Sequence, residues 1–79
     1  MPEMVKAYVM VKARTGDADR LKADIEAVEG VESAHIVAGD VDLIATVDVA
    51  SPAEVKDVAA THIQAIDGVE DTQTYIAMD

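Results

Sequence analysis

The sequence predicts a small α+β domain in which four strands and two helices follow the order βαββαβ. Three observations carry this. Several runs alternate apolar and polar residues, as half-buried strands do. Two stretches between them repeat apolar residues at spacings of three and four, the stripe of an amphipathic helix. The two halves also echo one another, since Val28-Glu29-Gly30-Val31-Glu32 returns as Ile66-Asp67-Gly68-Val69-Glu70. Each half reads as strand, helix, strand. Right-handed crossovers then give an antiparallel sheet with both helices on one face, the ferredoxin-like arrangement.

The chain opens on Met1-Pro2-Glu3-Met4, a short acidic lead. No apolar run approaches the ~18 residues of a membrane span, and neither a signal peptide nor a membrane partner is expected. From Val5 to Lys12 a strand places Val5, Ala7, Val9 and Val11 on one face, with Lys6, Tyr8, Met10 and Lys12 on the other. Thr15-Gly16-Asp17 breaks it and offers helix caps, Asp17 and Asp19 suiting the positive end of the helix. Ala18, Leu21, Ile25 and Val28 form the first helical stripe, which Gly30 stops. The second strand, Val31 to Val37, has Ala34 and Ile36 on one face and Ser33, His35 and Val37 on the other.

Gly39-Asp40 reads as a two-residue hairpin, because glycine supplies the positive φ that tight turns need. In the third strand Leu43, Ala45, Val47 and Val49 alternate with Asp42, Ile44, Thr46 and Asp48. Ser51-Pro52-Ala53-Glu54 starts the second helix, with Ser as cap, Pro at the first position and Glu three residues after the cap. Its stripe is Val55, Val58, Ala59, Ile63 and Ile66, and Gly68 ends it. The last strand, Glu70 to Met78, alternates Thr72, Thr74, Ile76 and Met78 against Asp71, Gln73, Tyr75 and Ala77.

Composition narrows the function. With 79 residues the chain is a single domain that buries roughly 60% of its unfolded surface. A deep catalytic cleft requires a second copy. The lack of Cys removes disulfides, thiol chemistry and Cys-based zinc sites, and fits a reducing cytoplasm. Sixteen acidic against six basic side chains give a formal charge of −10. That balance repels phosphate backbones and excludes direct nucleic-acid binding by this chain alone. Ala and Val dominate the apolar set and Phe and Trp are absent; with the many acids, this resembles the composition of proteins from salt-loving organisms.

A sheet with helices on one side leaves its other face open. On this reading that face carries Tyr8, Met10, Val37, Ile44, Thr46 and Ile76, too apolar a patch to stay wet on so small a domain. A symmetric homodimer through it is the simplest remedy. Catalysis finds no support. His35 and His62 fall on a strand and a helix, no Gly-rich phosphate loop or nucleophile context occurs, and no metal or other cofactor is expected. Asp42 stands out, a carboxylate just past the turn where folding has no need of one, suited to a ligand amine. Its bland reading is a solvated acid or turn cap; for Thr72 and Thr74 it is β-propensity with outward hydroxyls.

Gly39-Asp40-Val41-Asp42-Leu43-Ile44, a helix, and then Ile66-Asp67-Gly68-Val69-Glu70-Asp71-Thr72-Gln73-Thr74 resemble the ligand-binding (RAM) domain of Lrp/AsnC regulators. That family's pattern is a Gly-x-x-Asp-apolar hairpin and a Pro-Gly-Val-x-x-x-x-Thr ending, and the likeness covers essentially the whole chain. It implies a dimer through the open faces, assembled further into rings of dimers, with amino-acid effectors bound near the hairpin where dimers meet. By position, Gly39, Asp40, Val41 and Asp42 would line that site, Asp42 meeting the ligand amine and turn backbone its carboxylate, and Thr72 and Thr74 would add hydroxyls. The family often has an aromatic residue where Val41 stands and prefers Pro where Asp67 stands. Members normally carry an N-terminal helix-turn-helix, so a chain that starts at the first strand resembles the stand-alone version.

The resulting expectation is a non-enzymatic, cytoplasmic amino-acid sensor that assembles with itself and with full-length Lrp/AsnC-type regulators in transcription regulation. A dimeric α+β-barrel enzyme of monooxygenase or isomerase kind shares the fold, but needs a His-, Tyr- or Asn-lined cavity between sheet and helices. The positions facing that space are nearly all aliphatic. A ligand-free assembly domain is the remaining alternative.

Overall fold

The computed structural model describes residues 4–14 and 16–79. The expectations for Met1, Pro2, Glu3 and Thr15 lie outside the described residues. The elements follow the predicted order: β1 (Val5–Ala13), α1 (Ala18–Glu26), β2 (Val31–Ile36), β3 (Leu43–Val49), α2 (Pro52–Lys56) and β4 (Val69–Ile76). All neighbours in the sheet are antiparallel, in the order β2-β3-β1-β4.

The centre of the sheet is built from the two cleanest alternations. Opposite residues of an antiparallel pair share a face, and the register sets Ala7 against Val47, Val9 against Ala45 and Val11 against Leu43. All six are fully buried under the helices. From α1 come Leu21 and Ile25, and from the second helix Val55, Val58, Ala59 and Ile63, as the stripes predict. Ser51 caps α2, its hydroxyl accepting from the Glu54 N–H at 3.3 Å, while the Glu54 carboxylate accepts from the Ala50 N–H at 3.4 Å. After Lys56 the helix runs on as a wider π-helical segment, Asp57–Ile63. The Gln64 N–H reaches back five residues to the Ala59 carbonyl at 3.1 Å. The wide turn suits the five-residue step from Val58 to Ile63, both of which it buries.

Three details depart from the sequence reading. The β2–β3 connection closes through the Val37 N–H on the Asp42 carbonyl at 2.9 Å, so the loop is Ala38-Gly39-Asp40-Val41. Gly39 has φ 158°, close to extended and far from a two-residue turn. Ile36 shares the face of Leu43 but is 44% exposed, since it lies at the end of an edge strand. Ile76 leaves the open face. β4 pairs Ile76 with Ala7 and Thr74 with Val9, which puts Thr72, Thr74 and Ile76 on the helix side, while Tyr75 joins Tyr8 and Gln73 joins Met10 on the open side. Both faces of this edge strand are largely polar, so alternation alone did not say which one turns inward; pairing with β1 does.

The open face therefore runs in rows across the sheet. One row is Ser33, Thr46, Tyr8 and Tyr75, and the next is His35, Ile44, Met10 and Gln73. Tyr8 is 39% exposed and Tyr75 51%.

Candidate ligand site at the hairpin

The hairpin is fastened to β1 by Asp42. Its backbone N–H donates to the Val11 carbonyl at 3.0 Å, and its Oδ2 accepts from the Ala13 N–H at 2.8 Å. The pairing of β1 with β3 ends at Val11 opposite Leu43, so past this point a side chain takes over from strand backbone. The expectation that folding has no use for a carboxylate here is corrected by that bond.

Past this anchor the loop leans toward the start of β4. Asp40 and Val41 from the loop, Met10 and Lys12 from β1, and Asp71, Thr72 and Gln73 from β4 line a cleft of about 210 Å³. The Asp71 carboxylate is turned back on the chain, its Oδ1 accepting from the Thr72 N–H at 2.9 Å. Ion pairs among the described residues engage Arg20 and Lys22, which leaves the Lys12 ammonium uncommitted. The cleft thus brings together a free cation, two carboxylates, an amide, a thioether and an aliphatic wall. Such a set suits a small zwitterion with an apolar stem.

Of the residues singled out in the sequence, Asp40, Val41 and Thr72 meet here. Asp42 lies beside the cleft, opposite Lys12 if the register is extended, and Gly39 stands exposed at the loop apex. Thr74 is carried away with Ile76 to a groove of about 260 Å³ against α2, walled by Val55, Lys56 and Ala59; Thr72 borders both depressions. Sequence reasoning missed Lys12, Asp71 and Gln73. Alternation placed Lys12 on the open face but set Asp71 and Gln73 on the face of β4 opposite Ile76, and only the β1–β4 register joins the three.

A third depression, about 440 Å³, is lined by Glu29, Asp48, Glu54, Asp57 and His62. Among the described residues no group of side chains is arranged to hold a metal ion.

The Lrp/AsnC ligand binding domain family model matches residues 6–79. The leucine-responsive regulatory protein of Haemophilus influenzae is 31% identical over 76 residues, which cover 96% of this chain and 46% of that protein. The chain thus spans about half the length of that curated relative. Among solved structures, TTHA0845 of Thermus thermophilus superimposes with a TM-score of 0.88 at 29% identity, covering 95% of this chain and 94% of that one. A feast or famine regulatory protein of M. tuberculosis complexed with L-methionine superimposes with a TM-score of 0.79 at 28% identity, covering 95% of this chain and 50% of that one.

Proposed function

We propose that this chain, which belongs to the Lrp/AsnC ligand-binding domain family, is an amino-acid-sensing and assembly module whose effector sits in the hairpin cleft. The observation that carries this is the convergence of Asp40 and Val41 with Lys12, Asp71 and Gln73 around a space sized for a small zwitterion. A similar structure holds L-methionine, which supports the class of ligand.

The cleft lies at one end of the open sheet face and is unroofed in a single chain. A second copy seated on Tyr8, Met10, Val37, Ile44, Thr46 and Tyr75 supplies the natural cover. Further dimers then join into rings at the hairpin ends. Effector binding acts by favouring one assembly over another, which requires different affinities in the two. Through mixed assembly with full-length Lrp/AsnC-type regulators the module tunes transcription, without touching nucleic acid itself. It works in the cytoplasm; among the described residues no helix is long and apolar enough to cross a membrane.

The enzyme alternative needs polar side chains between sheet and helices. That space is filled by Val9, Val11, Leu21, Ile25, Leu43 and Ile63, so the binding-module reading is favoured. A thermal-shift screen against the amino acids in concentrated salt tests it. A ligand at ~100 times its dissociation constant adds about 2.7 kcal/mol to the folded state, several degrees for a domain this small. No shift for any amino acid, with the oligomer intact, leaves a ligand-free assembly domain.

A further inference from the structure

Resting on the reading of the open face as the seat of a second copy, we infer that Lys6 and Lys12 form the charged rim of that interface, each ammonium reaching a carboxylate of the other copy. The face is banded along β1. Its two middle rows are uncharged at their centres, with Thr46, Tyr8 and Tyr75 in one and Ile44, Met10 and Gln73 in the next. They hold both tyrosines of a chain that has no Phe or Trp. Charge begins at the ends. Lys6 stands beside Asp48 at one end. Lys12 stands beside Asp71 at the other, and the β1–β3 register carried one pair further sets Asp42 on its other flank. An apolar, aromatic centre inside a charged rim is the anatomy of an interface between proteins.

These two lysines are also the cations at hand. The chain has six basic residues. Among the described residues, Arg20 and Lys22 are held in ion pairs with Asp17, Asp24 and Glu26. Arg14 donates to the Val69 carbonyl, and Lys56 borders the α2 groove on the far side of the sheet. Lys6 and Lys12 enter none of those ion pairs, although each has a carboxylate on a neighbouring strand. The covering copy brings the same charges as the covered one. Packed sheets lie about 10 Å apart, and in aligned packing the ends of one face lie over the ends of the other. Each end carries one lysine and at least one aspartate. An ammonium therefore finds a carboxylate across the gap whichever way the second copy runs. Exclusion of water between the sheets strengthens that pairing. Two chains of −10 each repel as wholes, and Lys6 and Lys12 oppose that repulsion where the copies approach most closely.

Lys6 is the cleaner probe, since Lys12 also lines the hairpin cleft. Sedimentation velocity of the full chain, at the salt concentration where about half of the wild type is dimeric, compares Lys6→Gln, Lys6→Arg and Lys56→Gln. The two glutamine variants change the net charge equally, and only Lys6→Gln removes an ammonium from the open face. Lys6→Gln is expected to weaken the dimer about fivefold or more, the scale of one exposed ion pair lost from each copy. Lys56→Gln is expected to weaken it less than about twofold, because salt screens a charge on the far side. Lys6→Arg should keep the wild-type affinity. Circular dichroism verifies that the three variants fold. If Lys6→Gln and Lys56→Gln weaken the dimer equally, net charge alone governs association, and the inference falls while the open-face dimer stands. If Lys6→Gln tightens the dimer, lysines of the two copies face one another, and the inference falls. If Lys6→Arg weakens it as much as Lys6→Gln, the lysine stem matters and its charge does not, which also overturns the inference. If the wild type stays monomeric at every salt concentration, the open-face reading falls with it.

Discussion

The Asp42 carboxylate satisfies the Ala13 N–H just beyond the last pair of β1 with β3. Removing it leaves a part-buried donor unmet, which costs about 1–2 kcal/mol. Asp42→Ala should therefore lower the urea midpoint of the ligand-free chain, and Asp42→Asn, which keeps an acceptor oxygen, should lower it less. The experiment matters for the site, because a ligand response lost in Asp42→Ala mixes weakened folding with lost contact. Variants of Asp40 read the site more cleanly. The position of Asp42 was legible in the sequence and its partner was not, since that partner lies on another strand, past the end of the β1–β3 pairing. Gly30 shows the opposite case. Its role as a stop was legible, and the structure adds that a Cβ at φ 98° would stand 3.0 Å from both Val49 Cγ1 and Val58 Cγ2. Gly30→Ala combines a left-handed backbone penalty with crowding, about 2–4 kcal/mol in all. A chemical-denaturation curve should show that loss without any change of ligand selectivity.

Elements were legible where one face is buried and the other wet. β1, β3 and both helical stripes have that contrast, and their inward residues are those the periodicity named. β4 lacks it, so Ile76 and Tyr75 exchanged faces; Thr74 went with Ile76 to the α2 groove, and Asp71 and Gln73, which the sequence did not single out, came to the cleft. The outer edge at β2 shows how a helix protects a strand. Glu26 of α1 accepts from the Ala34 N–H at 3.2 Å, and the Lys22 ammonium holds both of its oxygens at 3.1 Å. An edge donor that would invite another strand is thereby occupied. Lys22 first, then the Ala34 N–H, hold the Glu26 carboxyl below its ordinary 4.5 against the opposing effect of desolvation, with the charge of His35 adding more weakly. A carboxyl lowered by folding binds protons less readily in the folded chain than in the unfolded one. Its contribution to stability is complete above pH 4.5 and is lost as pH falls through the lower folded value. The stability gap between wild type and Glu26→Gln, read from urea midpoints, should be level above that pH and close below it.

At the scale of the molecule, charge and the open face pull against each other. Each chain carries a formal −10, so two copies brought together repel unless salt screens them. The Debye length falls from about 10 Å at 0.1 M to about 3 Å at 1 M. Against this stands an apolar and aromatic patch centred on Tyr8, Ile44, Met10 and Tyr75, whose burial favours association in proportion to its area. Sedimentation velocity should therefore find a dimer or larger assembly in concentrated salt and a shift toward monomer in dilute salt. The register supplies a sharper discriminator. Tyr75→Asp places a charge in the open face and should yield monomers even in concentrated salt. Ile76→Ser alters the neighbouring residue, 39% exposed on the helix side, and should leave the assembly intact. If Ile76→Ser dissociates the protein and Tyr75→Asp does not, the copies meet along the α2–β4 groove instead. The hairpin cleft would then lose the partner that roofs it, and ligand affinity would no longer follow the oligomeric state.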